Sequence, residues 1–106
     1  MVIALSPVCR YDRERQMIHR GNRNYALTDI QYHLLEYLLS HKDVVVPHAA
    51  IINILWPEKR LGKKECLRVV VMRLRKKIEV DIKNPMILIT CYRQGYLLKT
   101  VQNNDA

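Results

Sequence analysis

Apolar residues recur along this chain with two different periods. Over the first 27 residues they fall in four β-prone runs: Val2-Ile3-Ala4-Leu5, Val8-Cys9-Arg10-Tyr11, Gln16-Met17-Ile18-His19 and Asn24-Tyr25-Ala26-Leu27. That pattern predicts short strands. Ser6-Pro7, Asp12-Arg13-Glu14-Arg15 and Gly21-Asn22-Arg23 separate them. Gly21-Asn22 suits a tight hairpin turn, because both residues tolerate positive φ.

From Leu27 the period lengthens. Leu27, Gln31, Leu34, Leu35 and Leu38 share one face at helical spacing. Thr28-Asp29-Ile30-Gln31 is a capping box, in which each side chain can bond the other's backbone amide. The helix it opens is expected to run to about Ser40. His41-Lys42-Asp43 ends it, and a β-prone Val44-Val45-Val46 follows. Pro47 is placed to start a second, short helix over Ala49, Ala50, Ile51, Ile52, Ile54, Leu55 and Trp56, which Pro57 stops. A polar, basic loop from Glu58 to about Lys64 contains Gly62.

A third helix is expected from about Glu65 to Glu79. Leu67, Val71, Leu74 and Ile78 form its inward stripe. Its opposite face carries Cys66, Val69, Arg73, Lys76 and Lys77, flanked by Arg68 and Met72. After a loop through Asp81, Lys83, Asn84 and Pro85, the runs Met86 to Cys91 and Tyr96 to Lys99 predict a hairpin with Tyr92-Arg93-Gln94-Gly95 at its tip. Residues 102–106 read as a frayed tail. The whole is one α+β domain over residues 1–101, with four strands, three helices and a hairpin.

The chain's 106 residues suit a single domain. No apolar run nears the ~20 residues of a membrane helix, and Met1 to Leu5 lacks the basic n-region of a secretory signal. Cys9, Cys66 and Cys91 are odd in number and far apart. They form no disulfide framework, and a reducing cytoplasm is the expected compartment.

Charge sharpens the picture. Residues 59–77 carry nine basic side chains against Glu65 alone, whereas the rest of the chain has nine basic and nine acidic residues that cancel. The formal +8 thus sits on one stripe, the footprint expected for a polyanion.

A helix ~10–12 Å across fits a major groove ~12 Å wide if one face is anchored and the other is cationic and slim. The third helix meets both conditions. Arg68, Val69, Met72, Arg73 and Lys76 are the expected base readers. Arg73 can make a bidentate contact to guanine, and Val69 and Met72 can touch thymine methyls. Lys63, Lys64, Arg75 and Lys77 are expected to hold phosphates. Trp56 reads mainly as core, with an indole N–H able to face a phosphate. Tyr92, Arg93 and Gln94 form a tip for the adjacent minor groove, whose negative potential favours arginine.

Enzyme chemistry has little support. The chain has no P-loop, dinucleotide turn, G-x-S-x-G or H-E-x-x-H. Its ten acidic residues are scattered, and His19, His33, His41 and His48 lack metal-ligand spacing. No cofactor is implied. Cys66 opens a basic helix, which favours its thiolate and admits a redox or modification switch. Two other readings of the basic face stand beside the DNA regulator. One is a protein-interaction domain meeting an acidic partner or RNA polymerase. The other is a nonspecific nucleic-acid binder, which fits less well without an aromatic stacking platform.

Four segments, in order, resemble the OmpR/PhoB-type winged helix-turn-helix domain. Leu27-Thr28-Asp29-Ile30-Gln31-Tyr32-His33-Leu34-Leu35-Glu36-Tyr37-Leu38 resembles its first helix. Val44-Val45-Val46-Pro47 to Ile54-Leu55-Trp56 resembles its second, Arg73-Leu74-Arg75-Lys76-Lys77-Ile78-Glu79 the end of its recognition helix, and Ile89 to Leu98 its wing. The resemblance implies a bacterial transcription regulator acting on double-stranded DNA, with residues 65–79 in the major groove and 91–95 in the minor groove. It also implies a loop, 57–64, that meets RNA polymerase, and head-to-tail pairing on DNA.

Pro47 stands where the family usually has Ser, Tyr92 where response regulators have Arg, and Arg93 where they have Gly. Val70 and Met72 occupy positions often polar in the family. The wing is closer to the ToxR/CadC-like one-component regulators. It thus implies a cytoplasmic domain that a membrane anchor follows if the parent chain is longer.

Overall fold

The computed structural model describes residues 1–59 and 61–100. The expected tail and Arg60 of the basic loop lie outside the described residues. The four β-prone runs form β1 (Val2–Ser6), β2 (Cys9–Asp12), β3 (Met17–Arg20) and β4 (Arg23–Ala26), an antiparallel meander in that order. Strand alternation sends Leu5, Cys9, Tyr11 and Ile18 into the core. Ala4, Arg10, His19 and Asn24 are paired across the sheet on the opposite face. The register Arg20↔Arg23 leaves Gly21 and Asn22 as the two-residue turn, with Gly21 at φ 60°.

Helix α1 (Asp29–Ser40) starts at the capping box. The Gln31 amide donates to Thr28 Oγ1 at 3.3 Å, and the Thr28 amide donates to Gln31 Oε1 at 3.0 Å. Leu27, Gln31, Leu34, Leu35 and Leu38 are buried, as the period requires. The helix is tied back to the sheet through Glu36, which accepts from the Tyr11 hydroxyl and from Arg13 Nε and Nη2. Those bonds, led by Arg13, hold the Glu36 carboxyl below its ordinary range.

Of the valine run, only Val46 enters a strand. It forms β5 (Val46–Pro47), which pairs with the second wing strand and leads directly into α2 (His48–Leu55). Pro47 is the N-cap residue of α2 and makes no side-chain cap bond. α3 runs Lys63–Ile78, starting earlier than the apolar stripe alone suggests. Gly62, at φ 74°, turns the chain into the helix, so Lys63 and Lys64 belong to the first helical turn rather than the loop. Its inward residues Leu67, Val71, Leu74 and Ile78 are all buried. Glu65 in the first turn and Arg75, Lys76 and Lys77 in the last suit the helix dipole.

The wing consists of β6 (Leu88–Cys91) and β7 (Gly95–Leu98) and forms a small sheet in the order β5-β7-β6. The hairpin begins later than Met86 for a specific reason. The amides of Met86, Ile87 and Leu88 do not pair with a strand there. They donate to the carboxylate of Glu79, just past α3, at 2.8, 3.0 and 2.7 Å. The helices, the inner face of the meander and the wing share one apolar core. Among the described residues no helix is long and apolar enough to cross a membrane.

Candidate nucleic-acid interface

α3 is anchored by its buried stripe, so the opposite face is left to solvent. Cys66, Arg68, Val69, Met72, Arg73 and Lys76 are all exposed on it. Val69 is 39% and Met72 53% exposed, high values for apolar side chains. Among the described residues Arg68 has one loose partner, Glu65 at 3.8 Å, and both are well exposed; such a pair contributes little and yields readily to another anion.

At the N-terminal end of α3, Lys63 rests its ammonium 5.4 Å from the centre of the Trp56 ring. Trp56 is half-buried against the core, and its amide closes α2 on Ile52 O. The tryptophan thus positions Lys63 beside the exposed Lys64.

Two residues expected to hold phosphates are occupied within the domain. Arg75 Nε donates to Leu88 O at 2.9 Å and its Nη2 to Thr90 Oγ1 at 2.7 Å. Its guanidinium lies over the Tyr96 ring. Lys77 Nζ donates to Ala26 O at 2.7 Å and Gln31 Oε1 at 2.6 Å, tying α3 to the end of the meander and to the α1 capping box. Burial lowers the pKa of both groups from their ordinary values. Helical spacing placed Lys77 on the outward face, and Arg75 and Lys77 both among the cations expected to hold phosphates. It could not show that their long stems reach sideways, to β6 and to α1. Lys77→Ala is therefore expected to cost about 1 kcal/mol of stability, a typical net hydrogen-bond contribution, and to leave the salt dependence of DNA binding unchanged. Thermal melting and salt titrations check the two halves separately.

Glu79 is the functional residue that sequence patterning missed. It is 2% exposed, and its carboxylate accepts the three consecutive amides that lead into β6. Glu79 and Arg75, one turn apart, grip both sides of one peptide residue: Leu88 donates its amide to Glu79 and offers its carbonyl to Arg75. Arg20 from β3 adds a bond to Glu79 O at 2.8 Å. The wing is thus held to the recognition helix through side chains of that same helix. One signal was present: an acidic residue at a helix C-terminus is unfavourable for the dipole, so Glu79 after three basic residues invites an explanation.

At the wing tip Tyr92 is 78% exposed. Arg93 adopts φ 63°, the left-handed region, and lays its guanidinium 5.2 Å from the Tyr92 ring centre. Gln94 is exposed, and its carbonyl accepts the amide of His48 at the start of α2. The tip is thereby joined to α2 as well. Cys9, in contrast, is shut into the core, and burial pushes its thiol up to about 12, which removes it from redox chemistry at neutral pH. Cys66 is exposed on the recognition face.

An antiparallel meander, three helices with the third presenting a cationic face, and a hairpin fixed beside that helix define a winged helix-turn-helix. The profile of the family described as "Transcriptional regulatory protein, C terminal" matches residues 22–98. The chain belongs to this family, the OmpR/PhoB-type DNA-binding domain of transcription regulators. The sensory transduction protein RegX3 of Mycobacterium tuberculosis is 35% identical over 98 residues, which are 92% of this chain and 43% of that protein. The chain therefore spans less than half the length of this relative. The probable transcriptional regulator ycf27 of Guillardia theta is 30% identical over 85% of this chain and 36% of its own length.

Among solved structures, the DNA-binding domain of Klebsiella pneumoniae RstA in complex with RstA box superposes with a TM-score of 0.74 at 21% identity, covering 93% of this chain and 97% of that one. The DNA-binding domain of Escherichia coli CadC gives 0.71 at 21% identity, covering 86% and 85%.

Proposed function

We propose that this domain is the sequence-reading part of a bacterial transcription regulator. α3 lies in the major groove of double-stranded DNA and the tip of the wing enters the adjacent minor groove. The observation that supports this most is the combination of one free cationic face with a rigidly attached second probe. Cys66, Val69, Arg73 and Lys76 face outward, while Arg75 and Glu79 of the same helix hold the wing. A helix and a hairpin with a fixed separation can meet two adjacent grooves without an ordering cost at binding.

Each residue has a role in this reading. Arg73 reads guanine O6 and N7 through its planar fork. Lys76 and Arg68 reach base edges or phosphates, and Lys63 and Lys64 hold phosphates at the N-terminal end. Tyr92 presents Arg93 to the minor groove with its guanidinium already stacked, and Gln94 sits beside them. Leu61, 97% exposed in the loop before α3, with Pro57, Glu58 and Lys59 around it, gives this segment the apolar and charged tips suited to RNA polymerase. The domains pair head to tail on tandem half-sites. Such a regulator works in the cytoplasm, where the DNA lies.

The test is a selection on random duplex DNA, followed by titration of the enriched site and a scrambled control at several salt concentrations. An enriched motif bound at least about a thousandfold more tightly than the control is expected. With about four phosphate contacts, log K should fall against log salt with a slope near −4. Arg73→Ala should weaken the selected site by about tenfold or more and relax preference at one position, since a bidentate pair provides about 1–3 kcal/mol of discrimination. Equal losses on selected and scrambled DNA would remove Arg73 as a base reader. Binding that is salt-sensitive but yields no motif would overturn sequence reading.

A further inference from the structure

Three exposed side chains on the recognition face carry no charge and no strong hydrogen-bonding group. Cys66, Val69 and Met72 follow one another at intervals of three residues along α3, and all are exposed. Arg73 and Lys76 continue the same face towards the C-terminus. Side chains three apart on a helix stand ~5–6 Å from each other, a step that neighbouring base pairs, ~3.4 Å apart along a strand, bring within reach of a tilted helix. Water gains nothing from three apolar tips in a row on a cationic face. The one apolar group on the base edges of the major groove is the thymine C5-methyl.

Resting on the reading of α3 as a major-groove helix, we infer that Cys66, Val69 and Met72 form an apolar strip that reads consecutive thymine methyls. The operator half-site is then a short thymine tract adjoining the guanine read by Arg73. The sulfur tips suit this task, because a thioether and a thiol are polarizable and adapt to a methyl whose position shifts with local DNA shape. Because the strip lies N-terminal to Arg73, the thymines fall on one side of the guanine only, and the half-site has a direction.

The probe is the enriched duplex itself, synthesised with deoxyuridine in place of thymidine. This exchange deletes the methyl and keeps every hydrogen-bonding atom. Burying one methyl-sized group provides ~0.8 kcal/mol, so each methyl read by the strip should count for about fourfold in affinity, and two for about fifteenfold. The partner variant is Val69→Ser with Met72→Gln, which keeps side-chain reach and removes the apolar tips. Both positions are exposed, and thermal melting of the variant checks that the fold is kept.

The native domain is expected to bind thymidine DNA about tenfold or more above its deoxyuridine copy, and the double variant, which keeps Cys66, to bind the two within about fourfold. A selected motif with no thymine beside its guanine overturns the inference and leaves the regulator reading intact. So does an unchanged affinity for deoxyuridine DNA, or a deoxyuridine penalty that is undiminished in the double variant. A selection with no motif overturns both.

Discussion

Replacing Glu79 by alanine should lower the stability of the domain by about 3–5 kcal/mol, the range found when one partner is removed from a buried charged network. The side chain is almost wholly buried and serves as the acceptor for the amides of Met86, Ile87 and Leu88. Without it the buried amides of Ile87 and Leu88 lose their acceptor, while that of Met86 is part-buried at an exposed residue, and each unsatisfied buried group costs about 1–3 kcal/mol. A domain of this size has about 5–15 kcal/mol in all, so the loss is a large share. With a shift of about 4–8 °C per kcal/mol, the melting temperature should fall by roughly 12–40 °C.

Glu79→Gln should recover only part of the loss. Its carbonyl can still accept, but its NH₂ points a donor at backbone donors. Amide exchange is the sharper readout, since protection should disappear first at Met86, Ile87 and Leu88. DNA affinity should fall further than the fraction unfolded explains, because the wing loses one of its two side-chain tethers to α3 and keeps only Arg75. A Glu79→Ala domain that melts within about 1 kcal/mol of the native one would show that water or another group satisfies those amides.

Gly95→Ala should be nearly as damaging, for a steric reason. Gly95 opens β7 opposite Pro47, where the wing crosses the chain entering α2. A Cβ at this position would overlap the Val46 carbonyl oxygen and stand 2.8 Å from Val46 C and 2.9 Å from Pro47 Cα. These are backbone atoms that no rotamer change can move. Overpacking ordinarily costs 1–3 kcal/mol and occasionally more. Here the clash must separate β5 from β7, so about 3 kcal/mol or more is expected, or a fall of at least roughly 12 °C in melting temperature. The displacement also moves Gln94 from its bond with the His48 amide, so the wing tip should swing relative to α2. Loss of amide protection at His48 accompanying the lower melting point would confirm the route. A substitution tolerated within about 1 kcal/mol would mean that β5 is free to shift without cost.

Much of this was legible in the chain itself. The capping box at Thr28 and Gln31 and the leucine stripe behind it depend on contacts three and four residues apart, so local spacing determines them. The same holds for the inward stripe of α3, for the Gly21-Asn22 turn, and for the outward placement of Arg73 and Lys76. Periodicity decides which face is buried because apolar area must leave water whatever the partner surface is. The sequence also placed the net charge on one stretch, residues 59–77, and thereby pointed to a polyanion.

The tertiary structure decided what long side chains do at a distance. Arg75 and Lys77 share the basic stripe with Arg73 and Lys76, yet both turn inward to carbonyls, a hydroxyl and a side-chain amide on other elements. Glu79, one residue past the last apolar position, became the acceptor that organises the entry to the wing. Val46, in a run of three similar valines, alone entered a strand, where it pairs with Tyr96 of β7 next to Gly95. In each case the deciding partner lies far along the chain, and no local period encodes it. The desolvation of a charged or polar group is settled by whichever donors or acceptors the fold brings to it. The elements and the exposed reading face therefore belong to the sequence, and the fixed spacing between helix and wing belongs to the folded domain.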